Sequence, residues 1–277
     1  MMEKRIKAKK EFGQNFLIDD NVLSRIVSCV APTPEDCILE VGPGRGALSR
    51  LLVASGARFV AVEWDRELIP LLNAEFAGND RVEIGHGDIL RVDLRQILTS
   101  RAPGRKWKVA ANLPYNISSQ VLFKFMEECA LFEGLVLMLQ KEVGDRLAAP
   151  PGCKEYGALT VLLRLHFDIR REFIVKPGSF RPIPKVDSAV LSFTPLAAPR
   201  VEVGDEDLFR RLVKGAFNQR RKTLLNSLRS AGFDDGDGTL TAALAACSID
   251  GMRRGETLSL EEFAALSRAL AAGKTSS

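Results

Sequence analysis

The residues richest in chemistry are Ala111, Asn112, Leu113, Pro114 and Tyr115, which close a short strand expected at 108–112 and run on past its end. An exocyclic adenine amine is a weak nucleophile because its lone pair is delocalised into the ring. Two acceptors that hold its protons leave that lone pair facing an electrophile. The Asn112 side-chain oxygen and the Leu113 backbone carbonyl form such a pair. Pro114 fixes the backbone that presents them, and Tyr115 offers an aromatic face on which an unpaired base can stack. No strongly perturbed general base is required, since the amine becomes acidic only once it is alkylated. A turn that merely closes a strand could carry the same residues, and what argues for chemistry is a second constellation upstream.

ILEVGPGRGALSRLL places Gly42, Gly44 and Gly46 between an apolar strand and a helix start, so the chain can turn sharply and a ligand can approach bare backbone. Gly42, Gly44 and Ala47 satisfy the GxGxxA form as well, so this loop alone does not separate a nicotinamide dinucleotide from S-adenosylmethionine. The second strand ends in Glu63, about twenty residues after Gly42, where a carboxylate can accept from both hydroxyls of a ribose. The third ends near Asp88, which can accept from an adenine amino group. His86 reads as a solvent-facing turn residue and His166 as a strand-edge residue, neither of them catalytic. Glycine loop, Glu63 and Asp88 thus mark three successive strand ends on one edge, as an adenosine lying across the sheet requires. A pyrophosphate would find no basic partner except Arg45, so a cofactor without phosphates fits better. A dehydrogenase would also need a proton-transfer group at this edge, and none is evident.

The elements that must hold these residues alternate. Strands are expected at 37–42, 58–64, 81–85, 108–112, 134–140, 167–175 and 186–196, with helices between the earlier ones, for example at 47–55, 118–129 and 156–165. This is the pattern of an α/β fold with a mostly parallel seven-stranded sheet. The last two runs, joined by KPGSFRPIPK, should pair as an antiparallel hairpin at the sheet edge. Beyond TPLAAPR the period becomes helical, in DEDLFRRLVKGAFNQ, RRKTLLNSLRSAG, TLTAALAACS and SLEEFAALSRALAAG, so a boundary falls near residue 197. The domains read are 1–196, α/β, and 197–277, all-helical. DDGDG at 234–238 lacks the ligand spacing of a calcium loop and reads as a turn.

Composition sets the outer limits. Apolar and charged residues are balanced as in globular proteins, and no run approaches the roughly twenty apolar residues of a membrane-spanning helix. The basic start MMEKRIKAKKEFGQNF has no apolar core of the secretory kind, which points to the cytosol. The five cysteines show neither disulfide nor zinc spacing, so they read as reduced and no metal site is expected. A net charge of +4 is too mild to prove a nucleic-acid partner, but its distribution is not even. Lys4, Arg5, Lys7, Lys9 and Lys10 crowd the N-terminus. Arg210, Arg211, Lys214, Arg220, Arg221, Lys222 and Arg229 fill a stretch without acidic residues, where a solvated helix face would mix signs. That second cluster suits phosphate contact.

FGQNFLID, ILEVGPGRGALS, ANLPYNISS, LMLQKEVGDRL, SFRPIPKVDSAVL and FNQRRKTLLNSL together resemble the bacterial KsgA-type ribosomal RNA adenine dimethyltransferases, from about residue 12 to 230. The resemblance implies a Rossmann-like S-adenosylmethionine-dependent methyltransferase domain, with a segment 1–20 covering the cofactor, followed by a helical RNA-binding domain. It implies conversion of two adjacent adenosines, in a hairpin loop near the 3′ end of small-subunit ribosomal RNA, to N6,N6-dimethyladenosine, with S-adenosylhomocysteine released. Residue by residue, it implies that Asn15 and Leu17 cover the cofactor, Gly42 and Gly44 approach its methionine part, Glu63 holds the ribose and Asp88 reads the adenine. Asn112, also counted as touching the cofactor, Leu113, Pro114 and Tyr115 would hold the target base. Phe180 would form a second wall, and Arg220, Arg221 and Lys222 would meet RNA. The implied partner is ribosomal RNA within an immature small subunit, and the implied state a cytoplasmic monomer. Gln120 and Ala158 depart from residues common in the family but lie outside these contacts. Leu113 and SFRPIPKVDS favour the small-subunit reading over a large-subunit enzyme of the same fold. Asn rather than Asp at 112 disfavours a DNA enzyme, and an intact NLPY disfavours a binder without turnover.

Overall fold

The β-branched runs assemble into one seven-stranded sheet in a computed structural model, which describes residues 13–233 and 238–274. The basic cluster at Lys4, Arg5, Lys7, Lys9 and Lys10, the first residue of FGQNFLID and most of the 234–238 loop lie outside the described residues. The N-terminal unit, which runs to Gly144 and resumes over Asp168–Pro195, contains β1 (Phe16–Leu17), α1 (Asp20–Val30), β2 (Cys37–Val41), α2 (Ala47–Val53), β3 (Arg58–Glu63), α3 (Ile69–Glu75) and β4 (Val82–His86). It continues with α4 (Leu94–Arg101), β5 (Trp107–Asn112), α5 (Ser118–Glu127) and β6 (Phe132–Gln140), then α6 (Lys141–Ala148), which runs past its end. A second helix, α7 (Ala158–His166), separates these from β7 (Phe167–Val175), β8 (Phe180–Arg181) and β9 (Ser188–Pro195).

Strand order is β4-β3-β2-β5-β6-β9-β7. The pairs β3–β4, β2–β3, β2–β5 and β5–β6 are parallel, and β9 runs antiparallel to β6. Every residue of β2 is buried, as a central strand covered on both faces demands. The chain walks outward from β2 through β3 to β4, then returns to lay β5 on the other side of β2. The carboxyl ends of β2 and β5 therefore flank the point where the winding reverses, the crevice in which open α/β sheets bind ligands. The expected pairing of the last two long strands appears as β9 beside β7, with β7 at the edge.

A separate two-stranded piece was not foreseen. β1 pairs antiparallel with β8, Phe16 opposite Arg181 and Leu17 opposite Phe180. Ile18 extends the match by donating its N–H to the Ser179 carbonyl at 2.9 Å. Asp19 then caps α1, accepting from the N–H groups of Asn21 and Val22 and from the Ser179 hydroxyl. These bonds, led by Ser179, hold its carboxyl below the usual range. Leu17, Val22, Leu23 and Ile26 enter the same apolar core as Leu48 and Leu52 of α2 and Ile38 of β2.

The second unit comprises Asp145–Phe167 together with the chain from Leu196 onward. It holds α7, α8 (Glu206–Phe217), α9 (Leu224–Ser230), α10 (Thr239–Ala246) and α11 (Leu260–Lys274). The sequence pattern groups 145–167 with the sheet, whereas the apolar residues Val161, Leu162, Leu163 and Leu165 are buried on a helix that packs with α8 and α11. His166 is the last residue of that helix, not a strand residue. Arg220, Arg221 and Lys222 lie in the turn between α8 and α9 rather than on a helix. No helix among the described residues is long and apolar enough to cross a membrane.

Candidate active site

The turn after β2 is built on glycines because each must adopt a left-handed backbone: φ is 68° at Gly42, 60° at Gly44 and 77° at Gly46. The Gly42 N–H donates to the Val62 carbonyl at 2.9 Å, carrying the β2–β3 ladder one residue past the strand before the chain leaves the sheet. A Cβ on Gly44 would stand 3.0 Å from the Phe16 ring. A Cβ on Gly42 would meet nothing within 4 Å, because it would project into open space. That space is a cavity of ≈ 510 Å³ at the carboxyl ends of β2, β3, β4 and β5.

Carboxylates are arranged around this turn. Glu63 closes β3 and is 5% exposed; its Oε2 accepts from the Gly44 N–H at 3.0 Å and its Oε1 from the Asp65 N–H at 2.8 Å. Burial pushes the carboxyl up, against the pull of those two amides. The Trp64 amide also acts on the group, and a carboxylate has about four acceptor positions, so capacity for a ligand hydroxyl remains. Asp88 follows β4, with Oδ1 accepting from the Leu90 N–H at 2.9 Å and Oδ2 3.6 Å from the exposed Arg91. His86 is exposed, as anticipated, but it is the last residue of β4 rather than a turn residue, and it stacks on Trp64 with ring centroids 5.8 Å apart.

Asn112 ends β5. Its Nδ2 donates to the Asn15 carbonyl at 3.0 Å, which orients the amide and leaves Oδ1 without a partner among the described residues. The Leu113 N–H donates to Met138 on β6, and the carbonyls of Pro114 and Tyr115 accept from Ile117 and Ser118. The Leu113 carbonyl, between them, forms no hydrogen bond among the described residues. Two consecutive residues of the cavity lining thus each keep an acceptor that is not engaged among the described residues. Tyr115 is half-buried and shares a 2.8 Å hydrogen bond with the Ser188 hydroxyl of β9, while burial raises its phenol.

The segment 13–18 crosses the mouth of this arrangement. Gln14 donates to Asp65 at 3.0 Å, Asn15 receives Asn112, and Phe16 lies against Gly44 with the Arg45 guanidinium 4.8 Å above its ring. Asn15, Leu17, Gly42, Gly44, Glu63, Asp88, Asn112, Leu113, Pro114 and Tyr115 all line the one cavity. Residues far apart in sequence thus come together at one edge of the sheet.

Other expected residues are elsewhere. Phe180 is fully buried in the apolar core opposite Leu17 and does not line the cavity, which corrects the reading of its ring as a base-facing wall. Arg220 is spent on structure in the second unit: its guanidinium donates to the carbonyls of Lys154 and Tyr156 and lies 3.6 Å from Glu256. Arg221 and Lys222 are exposed. Two contributors escaped the sequence reading. Ser188 is invisible as a partner of Tyr115 until β9 is placed beside β6. Glu40 is 2% exposed in the middle of β2, lines the cavity, and receives the Ser49 hydroxyl at 2.5 Å. Its signal was a lone carboxylate inside the apolar run Ile38–Val41, an environment that a charged side chain avoids unless it has a purpose.

Comparison with known proteins adds independent observations. Residues 5–269 match the family described as Ribosomal RNA adenine dimethylase. The chain is 62% identical over 267 residues to the Ribosomal RNA small subunit methyltransferase A of Geobacter metallireducens, covering 96% of this chain and 97% of that one. With the protein of the same name from Geobacter sulfurreducens it shares 57%, covering 96% of each. Among solved structures, a dimethyladenosine transferase from Plasmodium falciparum superposes with a TM-score of 0.77 at 23% identity, covering 94% of this chain and 98% of that one. The 23S rRNA methyltransferase ErmE gives 0.68 at 24%, covering 93% and 100%. These two likenesses establish the fold.

Proposed function

The chain belongs to the ribosomal RNA adenine dimethylase family, and from that membership we propose which residues of the cavity do the work and on which nucleotides. The protein is an S-adenosylmethionine-dependent methyltransferase that forms N6,N6-dimethyladenosine in small-subunit ribosomal RNA. The residues present suit this cofactor. Gly42 and Gly44 leave bare backbone where any side chain would project into the cavity or strike Phe16, and buried carboxyls line the space a cationic adenosine would fill. When bound, S-adenosylmethionine supplies a methyl group on a positively charged sulfur and is released as S-adenosylhomocysteine.

The order of strand ends supports the following division of roles. Asp88 after β4 accepts from the cofactor's adenine, Glu63 at the end of β3 accepts from its ribose, and the glycine turn after β2 receives its methionine part. Asn112 to Tyr115, after β5, receive the target base. Asn15 and Leu17 hold the strap that covers the donor. One observation carries the assignment: Asn15 engages the Asn112 amide through Nδ2, so Oδ1, beside Leu113 in the chain and on the same cavity, keeps its acceptor capacity for the base. Oδ1 and the Leu113 carbonyl accept both protons of the adenine amine and direct its lone pair toward the donor, while Tyr115, steadied by Ser188, stacks on the ring. After the first transfer one proton remains, so the pair can hold the monomethylated amine as well.

The targets in this reading are two adjacent adenosines of the hairpin loop near the 3′ end of small-subunit RNA, met within an immature subunit in the cytoplasm by a monomer. The helical unit contributes phosphate contacts through Arg221 and Lys222 in the α8–α9 turn. The test is incubation with methyl-labelled donor and, separately, undermethylated small subunits, large subunits, free RNA and DNA, followed by mapping of the label. Two methyls on each of two neighbouring adenosines of the small-subunit RNA are expected. Label confined to the large subunit or to DNA would overturn the reading.

A further inference from the structure

Two buried carboxyls, Glu40 on β2 and Glu63 on β3, line the same cavity, and neither has an ion-pair partner among the described residues. Glu63 ties the end of β3 to the glycine turn. Glu40 makes no such connection. Its Oε2 receives only the Ser49 hydroxyl, its neighbours in register are Ala61 on β3 and Ala110 on β5, and it precedes Gly42 by two residues.

The charged and titratable groups that share the cavity are Asp20, Arg45, Arg50, Glu63, Asp88 and Tyr115. Arg50 is engaged by Glu75 at 3.3 Å, and Arg45 lies over the Phe16 ring. The charge that acts on Glu40 is that of Glu63, which is repulsive. Burial is the largest influence and Ser49 opposes it; the balance lifts the Glu40 carboxyl to about 8. An isolated carboxylate at this depth is costly, and a carboxylic acid is not.

We propose that Glu40 is an uncharged carboxylic acid while the cavity is empty and becomes the counter-charge of the donor's positively charged methionine part, so that seating the donor expels one proton. The Glu40 O–H bond breaks, its electrons stay on the carboxylate, and the proton passes to solvent. This rests on the cavity being the S-adenosylmethionine site. Linkage fixes the sign: the ligand selects the ionised form, so donor affinity climbs with pH, by at most tenfold per unit, and levels off above about 8.

The experiment is calorimetric titration of the full chain with S-adenosylmethionine and with S-adenosylhomocysteine, in buffers of different ionisation enthalpy, from pH 6 to 9. Release of up to one proton with both ligands identifies the ammonium as the partner, and release with S-adenosylmethionine alone identifies the sulfonium. Either result supports the proposal. Binding with no proton release at any pH overturns it, whereas absence of binding would instead sink the assignment of the cavity. Glu40→Gln keeps an acceptor for Ser49 and should abolish the release and flatten the pH profile. Release that persists in Glu40→Gln but vanishes in Glu63→Gln would overturn the choice of residue. If Glu40→Gln does not fold, the unmodified protein decides: affinity that rises with pH together with proton release supports the proposal, and affinity independent of pH overturns it.

Discussion

At the scale of single residues, the proposed function separates groups that act on the substrate from groups that hold the donor. In the proposed function Asn112 supplies an acceptor that matters most when the amine is attacking, so Asn112→Ala should lower the single-turnover rate by about 10²–10³-fold. Calorimetry on the same variant should find donor affinity within a few-fold of the parent, the change coming from the lost bond to Asn15; full activity would remove the acceptor mechanism. Glu63→Ala should do the reverse. It removes a hydroxyl acceptor and leaves the Gly44 N–H without its partner, so donor affinity should fall roughly 10–100-fold, and an unchanged Kd would refute the ribose role. That these residues meet at one cavity was legible because each stands at the end of an apolar run, where a polar side chain has few structural uses. Glu40 was not, since the same rule dismisses a carboxylate inside a strand. Phe180 misled for the opposite reason: an aromatic residue in a loop-rich segment looks available, and only the pairing of Leu17 with Phe180 shows it buried.

At the scale of elements, the long strands were legible from β-branched runs, while β1 and β8 were not, because two residues carry no periodicity. Yet this short pair anchors the strap over the glycine turn. The packing of Phe16 on Gly44 makes the turn and the strap one mechanical unit. Gly44→Ala should therefore do more than strain one residue. The left-handed conformation costs an alanine roughly 1–2 kcal/mol, and its Cβ, 3.0 Å from the Phe16 ring, must push the strap outward. Thermal unfolding should shift down by a few degrees, and donor affinity should drop by more than the loss seen for Gly78→Ala, a left-handed glycine with no Cβ contact within 4 Å and away from the cavity. Equal effects at the two positions would show that the strap is independent of the turn.

At the scale of the whole molecule, the switch to helical spacing after TPLAAPR was readable, but the return of 145–167 to the helical unit was not. Its helix has the same apolar spacing whichever core it joins, and only packing decides. The basic cluster shows the same limit, because charge density alone does not distinguish a cation that holds the fold from one that meets a ligand. All three are exposed, but Arg220 makes two hydrogen bonds to carbonyls and faces Glu256, whereas the side chains of Arg221 and Lys222 make no hydrogen bond or ion pair among the described residues. These neighbours should therefore separate in experiment. Arg221→Ala with Lys222→Ala should leave the melting temperature nearly unchanged and weaken RNA binding, flattening the dependence of log affinity on log salt by about 1–2, as loss of two phosphate contacts requires. Arg220→Ala should cost about 1–2 kcal/mol of stability, discounted for its partial exposure, and leave the salt slope of the folded protein near its parent value. Should Arg220→Ala flatten the slope while the double variant does not, the phosphate contact would belong to Arg220 and its carbonyl bonds would have to yield when RNA arrives.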